Sequence, residues 1–483
     1  MKLSYVLIDI ALFLMFSLNI NSIFGQSNFH LDSTYERYRE RLREHFIVID
    51  SCVEHQGVNI PATEINYSEN RMEWSDGNSN MSHYLSILAT EFAIQSNQQK
   101  PTLQTRSELL YALMALERLD LYSETFLRTN SNNESEYPVL IVNPRANING
   151  FHNRDDVSSE FWKSHKHHFK TDSFRSVYTH ANDPALSQDN IIHHLEGLTL
   201  VSVLVNKISI KDIPIHFDTP IIPNYLKNRG IWAGDSIDCK KWVADIAKRY
   251  VLLIQNKTKK RLPKPLLGVR THWYIANPLN NELVEEGSGS DLDLSIFFHY
   301  GFIETARFLT GENHRRYHGL SPTHGMIFKT LMRYRQIKLP GFIPNIPIKF
   351  DDYKIRSLAT TGNPMGNETF ELLLHHRNHS AIFKYEHFPL IWLILHSKNA
   401  TQHLLDVGIY EIEKSYYDTL FMDIPKNGSN DCNSKNWKST SRCVWPEHLP
   451  KTSEIGHEYS GMDFMMLFNL YRLVFIVHKD NSN

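Results

Sequence analysis

The 483-residue chain reads as an all-α protein, a ring of about six helical hairpins in the manner of an (α/α) toroid with long loops. Three observations predict this. Apolar residues recur at helical spacing in about a dozen segments. Some of those segments are apolar around most of their circumference, as a helix walled in by other helices must be. Strand signals are few: only "PVLIVN" (138–143) and "IPIHFD" (213–218) resemble short strands.

Residues 1–25 read as a secretory signal peptide. Lys2 gives a positive start, "YVLIDIALFLMF" an apolar region, and Gly25 a small residue before a cut at Gln26. The run is short for a membrane span and Asp9 interrupts it. No second stretch of about 18 apolar residues follows, so the expectation is an exported chain without stable membrane insertion. Residues 26–483 then form a single helical domain. A net charge of −2 gives no global field favouring nucleic acid.

Five helices carry the clearest pattern. In 81–95, Met81, Leu85, Leu88 and Phe92 form one stripe, and in 104–121 Leu109, Leu113, Leu116 and Leu119 do the same. In 187–206 the stripe is Ile191, Leu195, Leu198 and Val201. Segments 290–309 and 460–476 are apolar on most sides. Further helices are expected at 34–50, 157–167, 236–255, 323–336, 367–377, 381–397 and 402–419. Pro and Gly mark the loops at 138–155, 211–234, 259–290, 338–366 and 424–456. Four cysteines, Cys52, Cys239, Cys432 and Cys443, permit two disulfides or four free thiols. Cys432 with Cys443 is the pairing that closes the shortest loop.

Two of these helices begin alike. "WSDGNSNMSHYLSILATEFAI" and "LSQDNIIHHLEGLTLVSVLV" each open with Asp, Asn and His and continue as an apolar helix. That layout resembles the inner helices of secreted (α/α)6-toroid carbohydrate-active proteins. The closing "YSGMDFMMLFNLYRLV" resembles an exported family of Bacteroidetes. The resemblance implies the toroid, a saccharide partner, and a site at the mouth where the inner helices start. It carries over no catalytic residue.

If the inner helices run parallel, their first turns gather at one funnel. Residues there can satisfy orphan N–H groups and meet the positive end of the helix dipole. Asp76, Asn78 and His83 would then meet Asp189, Asn190, His193 and His194, joined by Asp291, Asp293, Tyr300, His324 and Tyr459. Each acid could equally be a helix cap. Glycoside hydrolysis needs two carboxyl groups about 5–10 Å apart, and Asp189 and Asp291 are the candidates, with Asp76 in reserve. Lyase chemistry instead needs a His or Tyr base and neutral donors facing a uronate, for which Asn78, His194, Tyr300 and Tyr459 serve. Trp74 is a candidate for stacking on a sugar face. Hydrolysis is the leading expectation, a lyase on the same fold the first alternative, and a non-catalytic glycan-binding or surface-assembly protein the second. No cofactor and no metal are expected. Adjacent histidines such as His193–His194 diverge on a helix, no HExxH occurs, and "SDGNSN" lacks the rest of a calcium loop.

Overall fold

The structure is a computed structural model of the chain. It describes residues 31–47, 49–50, 57–58, 61–62, 64–66, 71–73, 77–122, 170–171, 188–214, 221–255, 274–276, 283–284, 294–315, 325–326, 328–329, 353–377, 386–422, 424 and 457–477. Helix dominates these residues, as the periodicity predicts.

The first helix, α1 (31–46), ends in a π-helical turn, Leu42–Phe46. It is followed by α2 (Gly77–Asn97), α3 (Leu103–Tyr122), α4 (Gln188–Leu204), α5 (Ile221–Asn228) and α6 (Cys239–Leu253). Then come α7 (Leu294–Thr310), α8 (Tyr353–Gly362), α9 (Asn367–Arg377), α10 (His387–His396), α11 (Ala400–Asp406), α12 (Tyr410–Phe421) and α13 (Met462–Phe475). No described helix is long and apolar enough to cross a membrane.

Several expectations need correction. Helices α5 and α8 occupy stretches read as loops, because Pro and Gly nearby mask short helical periods. In α8, Ile355, Leu358, Ala359 and Gly362 repeat at i, i+3, i+4 and i+7. The single helix expected over 402–419 is two. Gly408, at φ +72°, takes the left-handed conformation that ends α11 and turns the chain into α12. The C-terminal segment 460–476 is helical as expected, over Met462–Phe475, and a short strand, His457–Tyr459, precedes it. The segments at 138–143 and 157–167 lie outside the described residues, as do Cys52, Cys432 and Cys443. Cys239 is buried and carries a free thiol.

Six helices pack in a closed circuit. In order, α2, α4, α7, α8, α10 and α13 each touch the next, and α13 returns to α2. α4 also touches α8 and α10, so the circuit is drawn in around it. Neighbouring members run in the same direction. On α2 and α13, Ile87 meets Asn469 while Ile94 meets Leu473 and Val477. On α7 and α8, Gly301 faces Leu358 and Thr305 bonds to Thr361 at 2.7 Å. Other helices lie antiparallel outside this circuit. α3 backs α2 through Tyr84–Glu108 (2.7 Å) and Thr105–Glu91 (2.6 Å). α6 backs α4, and α12 backs α13 through Tyr410–Phe475, Tyr417–Tyr471 and Phe421–Phe464. This arrangement, with α6 also packed on α7, explains why α7 and α13 are apolar on several sides.

α1 closes the seam between α2 and α13. The Arg39 guanidinium, 1% exposed, donates to Glu91 of α2 at 2.7 Å and to Glu108 of α3 at 2.9 Å. Tyr35 donates to Glu91 at 2.6 Å and accepts from Asn469 of α13 at 2.9 Å. A buried charge needs this degree of pairing, because an unpaired ion in the core costs several kcal/mol. A small sheet ties the same ends together. Strand Glu64–Asn66 pairs antiparallel with Arg71–Glu73, just before α2, and with His457–Tyr459, just before α13.

Candidate functional site

Four helices of the circuit bring polar side chains to one place. On α4, Asn190, His193 and Glu196 recur every three residues and share a face. Glu196 is fully buried. Its Oε2 accepts from Ser357 Oγ of α8 at 2.8 Å, and its Oε1 lies 3.1 Å from His387 Nε2 of α10. From α2, the His83 ring meets the His193 ring edge to face, with centroids 6.4 Å apart and planes at 81°. His83 and His193 are partly exposed, whereas Ser357 and His387 are buried. The cluster therefore has a rim of two imidazoles over a floor of carboxylate, hydroxyl and a third imidazole.

The charges sort themselves by burial and neighbours. Burial lowers His83 to about 4 against the pull of Glu196, and lowers His193 to about 3, with His83, His194 and His387 adding to the effect. Both rim histidines are thus neutral at pH 7, and the same burial makes them weak bases there, because it disfavours the protonated form. Burial alone would raise the Glu196 pKa. His387, with His193 and His83 beyond it, overrides that and holds the carboxyl at about 2. Glu196 is an anion whose oxygens are engaged from α8 and α10, so it orients the cluster.

Helices α2 and α4 approach closely beside this cluster. The Gly197 N–H donates to Ser82 Oγ at 3.2 Å, and a Cβ on Gly197 would stand 2.7 Å from the Ser82 carbonyl oxygen. Ser86 and Thr90 return their hydroxyls to carbonyls one turn back, at 2.9 and 2.7 Å, so polar groups on this buried face are satisfied within α2.

The other candidates separate. His194, one residue from His193, faces outward. Its Nδ1 lies 2.6 Å from the Tyr250 hydroxyl of α6, and burial lowers it to about 3. Tyr300 also leaves the mouth. Its hydroxyl accepts from Arg315 Nη2 at 3.4 Å, its ring packs on Phe328, and a Cβ on Gly325 would be 2.5 Å from it. Burial pushes its phenol up. Asn190 is buried on α4. Asp189 and Asn78 lie in the first turns of α4 and α2, and Tyr459 in the strand before α13, with side chains outside the described residues. Trp74, Asp76, Asp291, Asp293 and His324 lie outside them altogether. Glu196, Ser357 and His387 were not singled out in the sequence. Glu196 stands one turn beyond His193 on the same face, and that spacing could have found it. His387 and Ser357 meet it only through tertiary packing. Among the described residues no group of three or more His, Cys, Asp or Glu side chains is arranged to hold a metal ion. The chain matches no protein-family model, no curated protein and no solved structure.

Proposed function

We propose that the protein is an exported glycan-processing enzyme on an (α/α) toroid, and that it cleaves uronate-containing chains by proton abstraction. The observation that carries this reading is the His83–His193 pair: two imidazoles, neutral at pH 7, at the partly exposed rim of a cluster floored by one ionised carboxylate. The closed circuit of parallel helices, backed by antiparallel partners, supports the toroid. The signal-peptide pattern of residues 1–25 supports export.

Hydrolysis and elimination ask for different groups. Hydrolysis takes two carboxyl groups, one of them protonated. The cluster offers one carboxylate among its described side chains, already engaged by Ser357 and His387. Elimination takes a neutral base; His83 and His193 are neutral at pH 7, and the carboxylate of a bound uronate would raise their basicity toward the working pH. In the proposed step a rim imidazole takes the proton from the sugar carbon next to the carboxylate. The electron pair becomes a carbon–carbon double bond as the bond to the glycosidic oxygen breaks, and that oxygen takes the proton from the imidazolium just formed, which restores the neutral base. Asn190, on the same face as His193, and Asn78, in the first turn of α2, are the amides proposed to meet the uronate carboxylate.

The test is to incubate the full chain with a panel of uronate polysaccharides while following near-ultraviolet absorbance and new reducing ends together. Elimination raises both in equal amounts. Reducing ends without absorbance would mean hydrolysis, and binding without either would mean a glycan-binding protein. Each of those results overturns the proposal.

A further inference from the structure

We infer that Gly197, packed on Ser82, is a positioning residue that sets the separation of the His83 and His193 rings. His83 directly follows Ser82, and His193 lies one turn before Gly197 on the same face of α4. A close backbone approach of α2 and α4 thus sits within one helical turn of both imidazoles. A Cβ at position 197 would meet the Ser82 carbonyl oxygen at 2.7 Å, the Ser82 Cα at 3.1 Å and the Leu85 Cβ at 3.2 Å. The first two belong to backbone, so no side-chain rotation relieves them; the helices must part or slide. Glycine in a helix interior costs about 1 kcal/mol relative to alanine. Here that cost secures a backbone approach that no other residue permits. Parting the helices would admit water between the rings and weaken the burial that keeps both neutral. The titratable groups acting on the pair are Glu196 of α4 and His387 of α10, with His194 acting on His193 from the outward side of α4.

The inference rests on the proposed acid–base reading only for what the spacing serves; the spacing is read without any substrate. Histidine-labelled full-length protein is titrated by NMR as wild type, Gly197→Ala and Ser82→Ala, with His83→Gln and His193→Gln used to assign the two resonances. In Gly197→Ala both midpoints rise toward the ordinary histidine value by about one pH unit or more, while His396, outside the cluster, keeps its own. Ser82→Ala removes the acceptor for the Gly197 N–H without adding bulk. It moves the same two midpoints in the same direction, by less. Unchanged midpoints in folded Gly197→Ala overturn the inference, as do unchanged midpoints in Ser82→Ala should Gly197→Ala not fold. A uniform drift of all histidines overturns it too, since that marks general loosening. Failure here leaves the proposed chemistry standing, and failure to find an unsaturated product leaves the spacing standing.

Discussion

Glu196 decides how the cluster behaves with pH. Its folded pKa, about 2, lies below the unfolded value, so its contribution is present above about pH 4.5 and lost as pH falls toward 2. His83 at about 4, with His193 and His194 at about 3, are also lowered, but as bases buried neutral. Between their folded values and about 6.5 the unfolded chain binds more protons, so stability again rises with pH. Both groups act in one direction. The melting temperature should be highest near pH 7 and fall steadily to pH 4, with each histidine adding up to about 1.4 kcal/mol per pH unit. A flat profile from pH 7 to 4 by calorimetry would contradict the burial assigned to these rings. Glu196→Gln removes the charge that His387 faces. It should shrink the dependence below about pH 4.5 to the histidines' own share and reduce turnover by about 10²-fold or more, measured as initial rates on a cleaved substrate. At this scale the sequence was partly legible. The shared polar start of two segments points to α2 and α4, whose histidines lie ring to ring. Tyr300 shows the limit. Its position in the chain matches those starts, but its rotation about α7 sends it to Arg315, and rotation depends on the neighbours a helix finds.

Among elements, α1 carries the largest buried electrostatic commitment at the seam. Arg39 has carboxylates on both sides, and Tyr35 and Tyr84 share them. Arg39→Ala leaves Glu91 and Glu108 buried without their common cation. It should destabilise the protein by about 3–5 kcal/mol in urea denaturation. Arg43, only partly buried and also bonded to Glu108, should cost less when truncated. A loss under about 1 kcal/mol for Arg39→Ala would mean that α1 is not docked as described. Element recognition from sequence tracked the length of the apolar period. The expected stripes over 81–95, 104–121 and 187–206 are buried helices, whereas the ten-residue α8 was hidden by its loop-like flanks. α8 matters because it delivers Ser357 to Glu196. Strands of two or three residues left no period at all, and the pairing of His457–Tyr459 with Glu64–Asn66 joins segments almost 400 residues apart in the chain.

For the molecule as a whole, helical class was legible because periodicity and all-round apolarity report burial directly. The order of helices around the circuit was not, since it rests on which faces meet. α4 touches five helices of the assembly and is buried along most of its length. Its amides should therefore exchange with solvent most slowly, and those of α11 among the fastest of the helices. Comparable exchange in α4 and α11 would contradict that burial. The circuit also concentrates the functional proposal, because α2, α4, α8 and α10 each give a side chain to the same few ångströms. The most direct measurement of that proposal is the near-ultraviolet absorbance released from a uronate polysaccharide by the wild type, His83→Gln and His193→Gln at equal concentrations. The account predicts an unsaturated product from the wild type and a loss of about 10²-fold or more in at least one variant whose fold and melting temperature are retained. Full activity in both folded variants would contradict it.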